Sequence, residues 1–115
     1  MNKIEFGKMA EDYALWLLEK RGWKLVERHV CFREGEIDLI VRRGLELLFV
    51  EVKARRSELF GAVVEALTTE KIRRMKRAVT RWKMGAADRR GGRLYFVGIL
   101  FDGEMPVKVD GYFIE

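Results

Sequence analysis

The chain has 115 residues, 49% apolar and 36% charged, with a single proline and no low-complexity tract, which excludes a disordered polymer and predicts one compact domain over 1–115. Its one cysteine, Cys31, cannot form an internal disulfide, and acidic residues interrupt the start MNKIEFGKMAEDYALWLLEK, so a cytoplasmic location is expected. No apolar run approaches the roughly 20 residues that cross a bilayer, so no membrane partner is expected, and a net charge of +5 favours a polyanionic one.

The first predicted element is a helix from about Phe6 to Arg21, because Phe6, Ala10, Tyr13, Ala14, Leu17 and Leu18 recur at three- and four-residue spacing, with Gly22 as its stop. WKLVERHV reads as a strand. After a polar link around Arg33 and Glu34, GEIDLIVR and ELLFVEVKAR read as two more, joined through Arg43 and Gly44 as an antiparallel hairpin. A linker around SELFG precedes a second helix with Thr69 as N-cap and Ile72, Met75, Val79 and Trp82 as its apolar stripe, ending near Gly85. The loop GAADRRGGR leads into RLYFVGILFD, an apolar run expected to be a central strand buried on both faces, and PVKVDGYFIE reads as a shorter final strand. This order predicts an α/β architecture in which helices pack on a mixed sheet.

Strand parity sorts the charges in the hairpin. If Arg42 pairs with Leu45, even positions of the second strand lie beside odd positions of the third. Glu36 then faces Glu51 directly, Asp38 sits diagonally from Glu51, and Lys53 shares their face. The opposite face holds only Ile37, Leu39 and Val41 against Leu48, Val50 and Val52. Carboxylates gathered at one end of a sheet repel one another unless a cation compensates, and an oxygen-only set suits Mg²⁺ or Mn²⁺ rather than zinc. With Lys53 beside them, this is equipment for metal-assisted phosphodiester hydrolysis. The same spacing also fits a solvated sheet face on which Lys53 simply pairs with Glu51 or Asp38, and spacing alone leaves both readings open.

GEIDLI followed by FVEVKAR resembles the PD-(D/E)XK nuclease superfamily, in which an acid precedes a Glu-x-Lys on the next strand. More closely, FGKMAEDYALWLLEKRGW, GEIDLI, LLFVEVKAR and the lysine near the start of the second helix resemble the YraN family, which is itself similar to archaeal Holliday junction resolvases. The pattern departs at Ile37, where the superfamily has proline, at Ala10, where a glycine is common, and at His29, where asparagine is common. The resemblance implies a restriction-endonuclease-like αβββαβ core and Mg²⁺ dependence. It also implies metal ligands at Asp38 and Glu51, a catalytic Lys53, and Glu11 as a further ligand from the first helix, with Glu36 beside them. The expected activity is endonucleolytic cleavage of DNA, branched or otherwise structured, in repair or recombination. The alternative is a non-catalytic nucleic-acid-binding or accessory protein that keeps the fold. Because a four-way junction has two symmetric scissile strands, a resolvase is expected to be a homodimer, with the final strands as its interface.

Between Lys71 and Arg93 there are ten Lys and Arg against one acid, Asp88, so the basic charge is segregated. Lys71, Arg73, Arg74, Lys76, Arg77 and Arg81, with Arg55 and Arg56 after the motif, are the candidate nucleic-acid contacts, extended by Arg89, Arg90 and Arg93. His29 reads as a structural or surface residue, Cys31 as a small buried one, and Trp16, Trp23 and Trp82 as core.

Overall fold

The computed structural model describes residues 1–56, 67–86 and 91–115. The linker at SELFG and the candidate contacts Arg89 and Arg90 lie outside the described residues. Helix α1 (Lys3–Lys20) begins nearly a turn before the first apolar repeat because Asn2 caps it. Asn2 Oδ1 accepts the Glu5 N–H at 2.8 Å, and the Glu5 carboxylate reaches back to the Asn2 N–H, a reciprocal box that satisfies two otherwise orphaned donors. At the other end Gly22 takes φ +90°, and the N–H groups of Gly22 and Trp23 return to the carbonyls of Glu19 and Leu18.

Strands β1 (Lys24–Cys31), β2 (Glu36–Arg43), β3 (Glu46–Arg55), β4 (Arg93–Asp102) and β5 (Met105–Ile114) form one five-stranded sheet in the order β1-β2-β3-β4-β5. Every pairing is antiparallel except β3 with β4, which is parallel. That parallel pair brackets helix α2 (Thr69–Gly85), as a parallel connection requires a crossover. The helix cap is Thr68 rather than Thr69, its Oγ1 accepting the Lys71 N–H. The fold is thus α/β, a mixed sheet with helices, consistent with an αβββαβ core plus one further strand. β4 is an interior strand but stands one place in from the edge, while β3 is the middle one. β5 is as long as β4 rather than shorter, because Gly103 at φ +60° opens a two-residue turn that returns the chain along β4.

Each face of the sheet buries a helix. Ala10, Ala14 and Leu18 of α1 pack on Leu39, Val41, Leu48, Val50 and Val52, with Val97, Ile99 and Phe101. Met75, Ala78 and Val79 of α2 pack on Val30, Ile37, Ile40, Leu47 and Phe49. Strand parity therefore fails at one residue: Ile37 joins the α2 side instead of facing α1 with Leu39 and Val41. Two expectations about single residues also change. Cys31 is exposed at the end of an edge strand. Trp16 is half exposed, stacked on Tyr13 under the Lys20 ammonium. Trp82 packs against the α2-side core, edge-on to Phe49, with its indole N–H donated to Glu27. No helix among the described residues is long and apolar enough to cross a membrane.

Candidate functional site

The turn between β2 and β3 falls one residue later than expected. Gly44 and Leu45 form it, with Gly44 at φ +60°, and Arg43 pairs with Glu46. Partners shift by two residues, so the alternation of faces holds over the paired stretch from Leu39 to Arg43 while the opposing pairs change, with Arg42 now against Leu47. The ladder itself stops at Leu39 and Val50. Past that point β3 continues alongside β4, with Glu51 beside Phe96 and Lys53 beside Gly98. The Val52 N–H that β2 no longer receives is taken by Asp38 Oδ2 at 2.7 Å. A side chain has replaced a backbone acceptor, which satisfies the donor and locks the Asp38 rotamer.

β1 is irregular at the same level. His29 lies between Arg28, paired with Leu39, and Val30, paired with Ile37, so it stands across from Asp38. It is the one non-glycine residue with positive φ among the described residues, at 54°. Such a left-handed residue inside a strand re-aims its neighbours, and Ile37, where parity breaks, pairs with the next residue, Val30. The ring Nε2 is 3.0 Å from Glu11 Oε1, on α1. Arg28 also reaches Glu11 (3.5 Å) and Asp12 (2.8 Å). Glu11 Oε1 is nevertheless buried without an aligned hydrogen-bond donor.

Glu51 and Lys53 are two apart on β3, with Lys53 Nζ 3.7 Å from Glu51 Oε1. Burial, and then the charge of Asp38, push the Glu51 carboxyl up to about 7 against the opposing pull of Lys53 and Lys71. Asp38 is also raised, chiefly by burial, with the Val52 N–H opposing. Glu11 is raised by burial and by Asp38. Partial desolvation and the neighbouring Lys53 ammonium lower Lys71. Glu36 is exposed, but Glu51 and the helix residue Glu11 are not solvated charges: only 17% of the Glu51 side chain and 13% of the Glu11 side chain is exposed.

The centre opens to both sides of the sheet. Toward α2 lies a small pocket of about 160 Å³ lined by Glu36, Glu51, Lys53, Lys71, Arg74 and Met75. Toward α1 lies a larger cleft of about 700 Å³ that takes in Glu11, Glu36, Asp38, Glu51 and Lys53, with Arg55 and Arg56 on its rim. The basic candidates accordingly divide. Lys71 and Arg74 face the carboxylates from α2, and Arg55 and Arg56 flank them from β3. Arg73, Lys76, Arg77 and Arg81 line a separate groove on the outer face of α2 with Ile72 and Met84. There Arg73 pairs with Glu70 (2.9 Å), Arg81 lies 4.0 Å from Glu34, and Lys76 donates to the Glu115 carbonyl. The basic stretch is therefore not free of acidic partners, since Glu70 lies immediately before it.

α2 is held against the centre by Gly35. A Cβ there would run into the Arg74 carbonyl oxygen, so only glycine allows β2 and α2 to approach this closely. The sequence pattern gave no role to Gly35, and it gave His29 as a structural or surface residue without its left-handed backbone. The glycine had a signal in its place directly before the acidic run, whereas nothing in the sequence marks His29 as left-handed.

Hard oxygen donors with raised proton affinity fit a divalent cation. Asp38 keeps Oδ1 unengaged by Val52, and Glu51 adds a second carboxylate, a donor set suited to an ion such as Mg²⁺ that retains several waters. Among the described residues no three His, Cys, Asp or Glu side chains are arranged to enclose an ion. The arrangement thus supports a two-carboxylate site, with Glu11 as a neighbour held by His29.

Fold and site together define an α/β domain with an acidic centre and an attendant lysine where two strands of a mixed sheet diverge. The chain belongs to the uncharacterised protein family UPF0102, whose model matches residues 10–99 and so includes Glu11, Glu36, Asp38, Glu51, Lys53 and all of α2. A UPF0102 protein of Shewanella loihica is 49% identical over 76 residues, covering 66% of this chain and 67% of the relative. One from Dictyoglomus turgidum is 46% identical over 77 residues, 67% of this chain and 65% of its own length. A third, from Pelotomaculum thermopropionicum, is 37% identical over 105 residues, 89% of this chain and 86% of the relative.

Proposed function

We propose that the chain is a Mg²⁺- or Mn²⁺-dependent DNA endonuclease that hydrolyses phosphodiester bonds, with branched or structured DNA as its substrate in repair or recombination. The observation that carries this reading is the Asp38–Glu51–Lys53 centre: two carboxylates gathered where the β2–β3 ladder ends, one raised to about 7, with an ammonium 3.7 Å away. A structural ion pair has no need to hold two half-buried acids together, whereas a cation-binding site does.

Asp38 and Glu51 would hold the ion, which when bound lowers the proton affinity of a water and draws charge from a phosphoryl oxygen. The remaining work falls to side chains. The Val52 N–H fixes Asp38. Lys53 orients the attacking water and balances charge on the non-bridging phosphate oxygens as the water oxygen, releasing a proton to solvent, bonds phosphorus. The bridging P–O bond then breaks, and its oxygen leaves with a proton from solvent. Lys71 and Arg74 hold the adjacent backbone from the α2 side, and Glu36 adds negative charge at the pocket mouth.

The test is cleavage of duplex, single-stranded, flap and four-way-junction DNA with Mg²⁺ or Mn²⁺, comparing wild type with Glu51→Ala and Lys53→Ala. Lys53→Ala should retain DNA binding while cleavage falls by on the order of 10² or more. DNA binding by the wild type with no cleavage of any substrate would mark the protein as a non-catalytic binder.

The partner reading includes a second copy of the chain. β5 leaves one edge unpaired and exposes Met105, Val107, Val109 and Phe113. Antiparallel self-pairing centred on Val109 would set Lys108 against Asp110 twice, an isologous contact.

A further inference from the structure

Gly7 lies in the second turn of α1, exposed, where a glycine destabilises a helix by about 1 kcal/mol relative to alanine. Most other described glycines have evident reasons, and Gly85 closes the last turn of α2. Gly22, Gly44 and Gly103 take positive φ, and a Cβ on Gly35, Gly92 or Gly111 would collide with a neighbour. Gly7 has neither reason: it is helical, and a Cβ there would meet no atom within 4 Å among the described residues. What it does face is the larger cleft at the carboxylate centre. Among the described residues nothing in the packing asks for the missing side chain, so what remains is the space it leaves.

That space has a defined chemistry. Lys3, Arg55 and Arg56 line the same cleft, around the acids on its floor. Arg56 is held in place by the Phe6 ring, its guanidinium carbon 4.3 Å from the ring centroid. Cations at the rim of an acidic floor suit a ligand whose charge is spread along a chain, since one phosphate meets the floor through a cation while its neighbours meet the rim directly.

We propose that the bare helix surface at Gly7 is a seat for the sugar–phosphate backbone of the cleaved strand, which lies in the α1-side cleft with Lys3, Arg55 and Arg56 on its flanking phosphates. This rests on the nuclease reading and adds where the strand lies and which residue makes room for it. The outer basic groove of α2 then contacts other parts of the nucleic acid.

The test is a size series at position 7, with Gly7→Ala and Gly7→Leu in the full chain and Gly85→Leu as control. Gly85 is a second helical glycine with open space at its Cβ, remote from the cleft. The measurements are thermal unfolding, and binding and cleavage of a labelled single strand and a four-way junction in Mg²⁺. Gly7→Ala and Gly7→Leu should unfold at or above the wild-type temperature, while affinity falls in order of side-chain size, by on the order of tenfold for leucine. Gly85→Leu should bind as the wild type does. Undiminished binding and cleavage by Gly7→Leu, with Glu51→Ala inactive, would overturn the seat and leave the nuclease reading standing. A lower unfolding temperature for Gly7→Ala would show that the glycine serves the fold instead. A wild type that neither binds nor cuts DNA overturns both.

Discussion

Replacing Glu51 with glutamine should stabilise the metal-free protein, and by an amount that depends on pH. The Glu51 carboxyl rises from 4.5 to about 7 because burial and the Asp38 charge disfavour its ionised form. Between those two values the folded chain holds a proton that the unfolded chain has released. Wild-type stability therefore falls as pH climbs from about 4.5 to 7 and levels off above, by roughly 3 kcal/mol in total. The amide has nearly the same shape and no charge to desolvate. Some of the gain is lost with the Lys53 ion pair, and some depends on the Asp38 charge that helps raise Glu51. A net stabilisation of about 2 kcal/mol at pH 8 is expected, a rise in Tm of roughly 8–12 °C, shrinking to below about 1 kcal/mol at pH 5. Thermal unfolding of both proteins in EDTA from pH 5 to 8 measures it. Added Mg²⁺ at pH 8 should then raise the Tm of wild type and leave Glu51→Gln unmoved. Equal gains at pH 5 and pH 8, or a variant less stable than wild type at pH 8, would refute the claim that a buried, unneutralised carboxylate sits at this position.

Three further outcomes follow from the geometry. Gly35→Ala should separate β2 from the Arg74 backbone, lowering Tm and weakening DNA binding together, because Lys71 and Arg74 move with α2; unchanged binding would mean that those two do not touch the ligand. At His29, where φ is 54°, asparagine should be tolerated within about 1 kcal/mol, whereas valine should cost roughly 1–3 kcal/mol by chemical denaturation. Equal stability of the two would show that the left-handed turn is not maintained in solution. Finally, sedimentation should detect a concentration-dependent dimer that Val109→Lys abolishes without lowering the unfolding temperature; a wild type that stays monomeric at high concentration would exclude self-pairing through β5.

The elements and their order were legible in the sequence because they depend on short-range pattern. ELLFVEVKAR and RLYFVGILFD form strands over the same residues as read, and because a turn misplaced by one residue moved partners by two, the alternation of faces from Leu39 to Arg43 is the one the pattern predicts. The α1 start was available too, in the Asn2-to-Glu5 spacing of its capping box, but apolar periodicity does not detect a cap. The face taken by Ile37 and the left-handed backbone of His29 were not legible. Strand parity assumes an unbroken ladder, and the ladder breaks at the acidic centre, where β2 leaves β3, a side chain replaces a backbone acceptor at Val52, and His29 turns left-handed.

By itself, then, the sequence determined which residue types meet near one end of a hairpin and that the sheet is mixed, because periodicity and turn chemistry are local. Only the tertiary structure decided that Asp38 accepts the Val52 N–H where the β2–β3 ladder ends, that the basic residues of α2 divide between two faces, and that burial pushes the Glu51 carboxyl up to about 7. Those outcomes depend on how closely a helix can approach the sheet and where two strands part. Both are set by contacts between residues far apart in the chain.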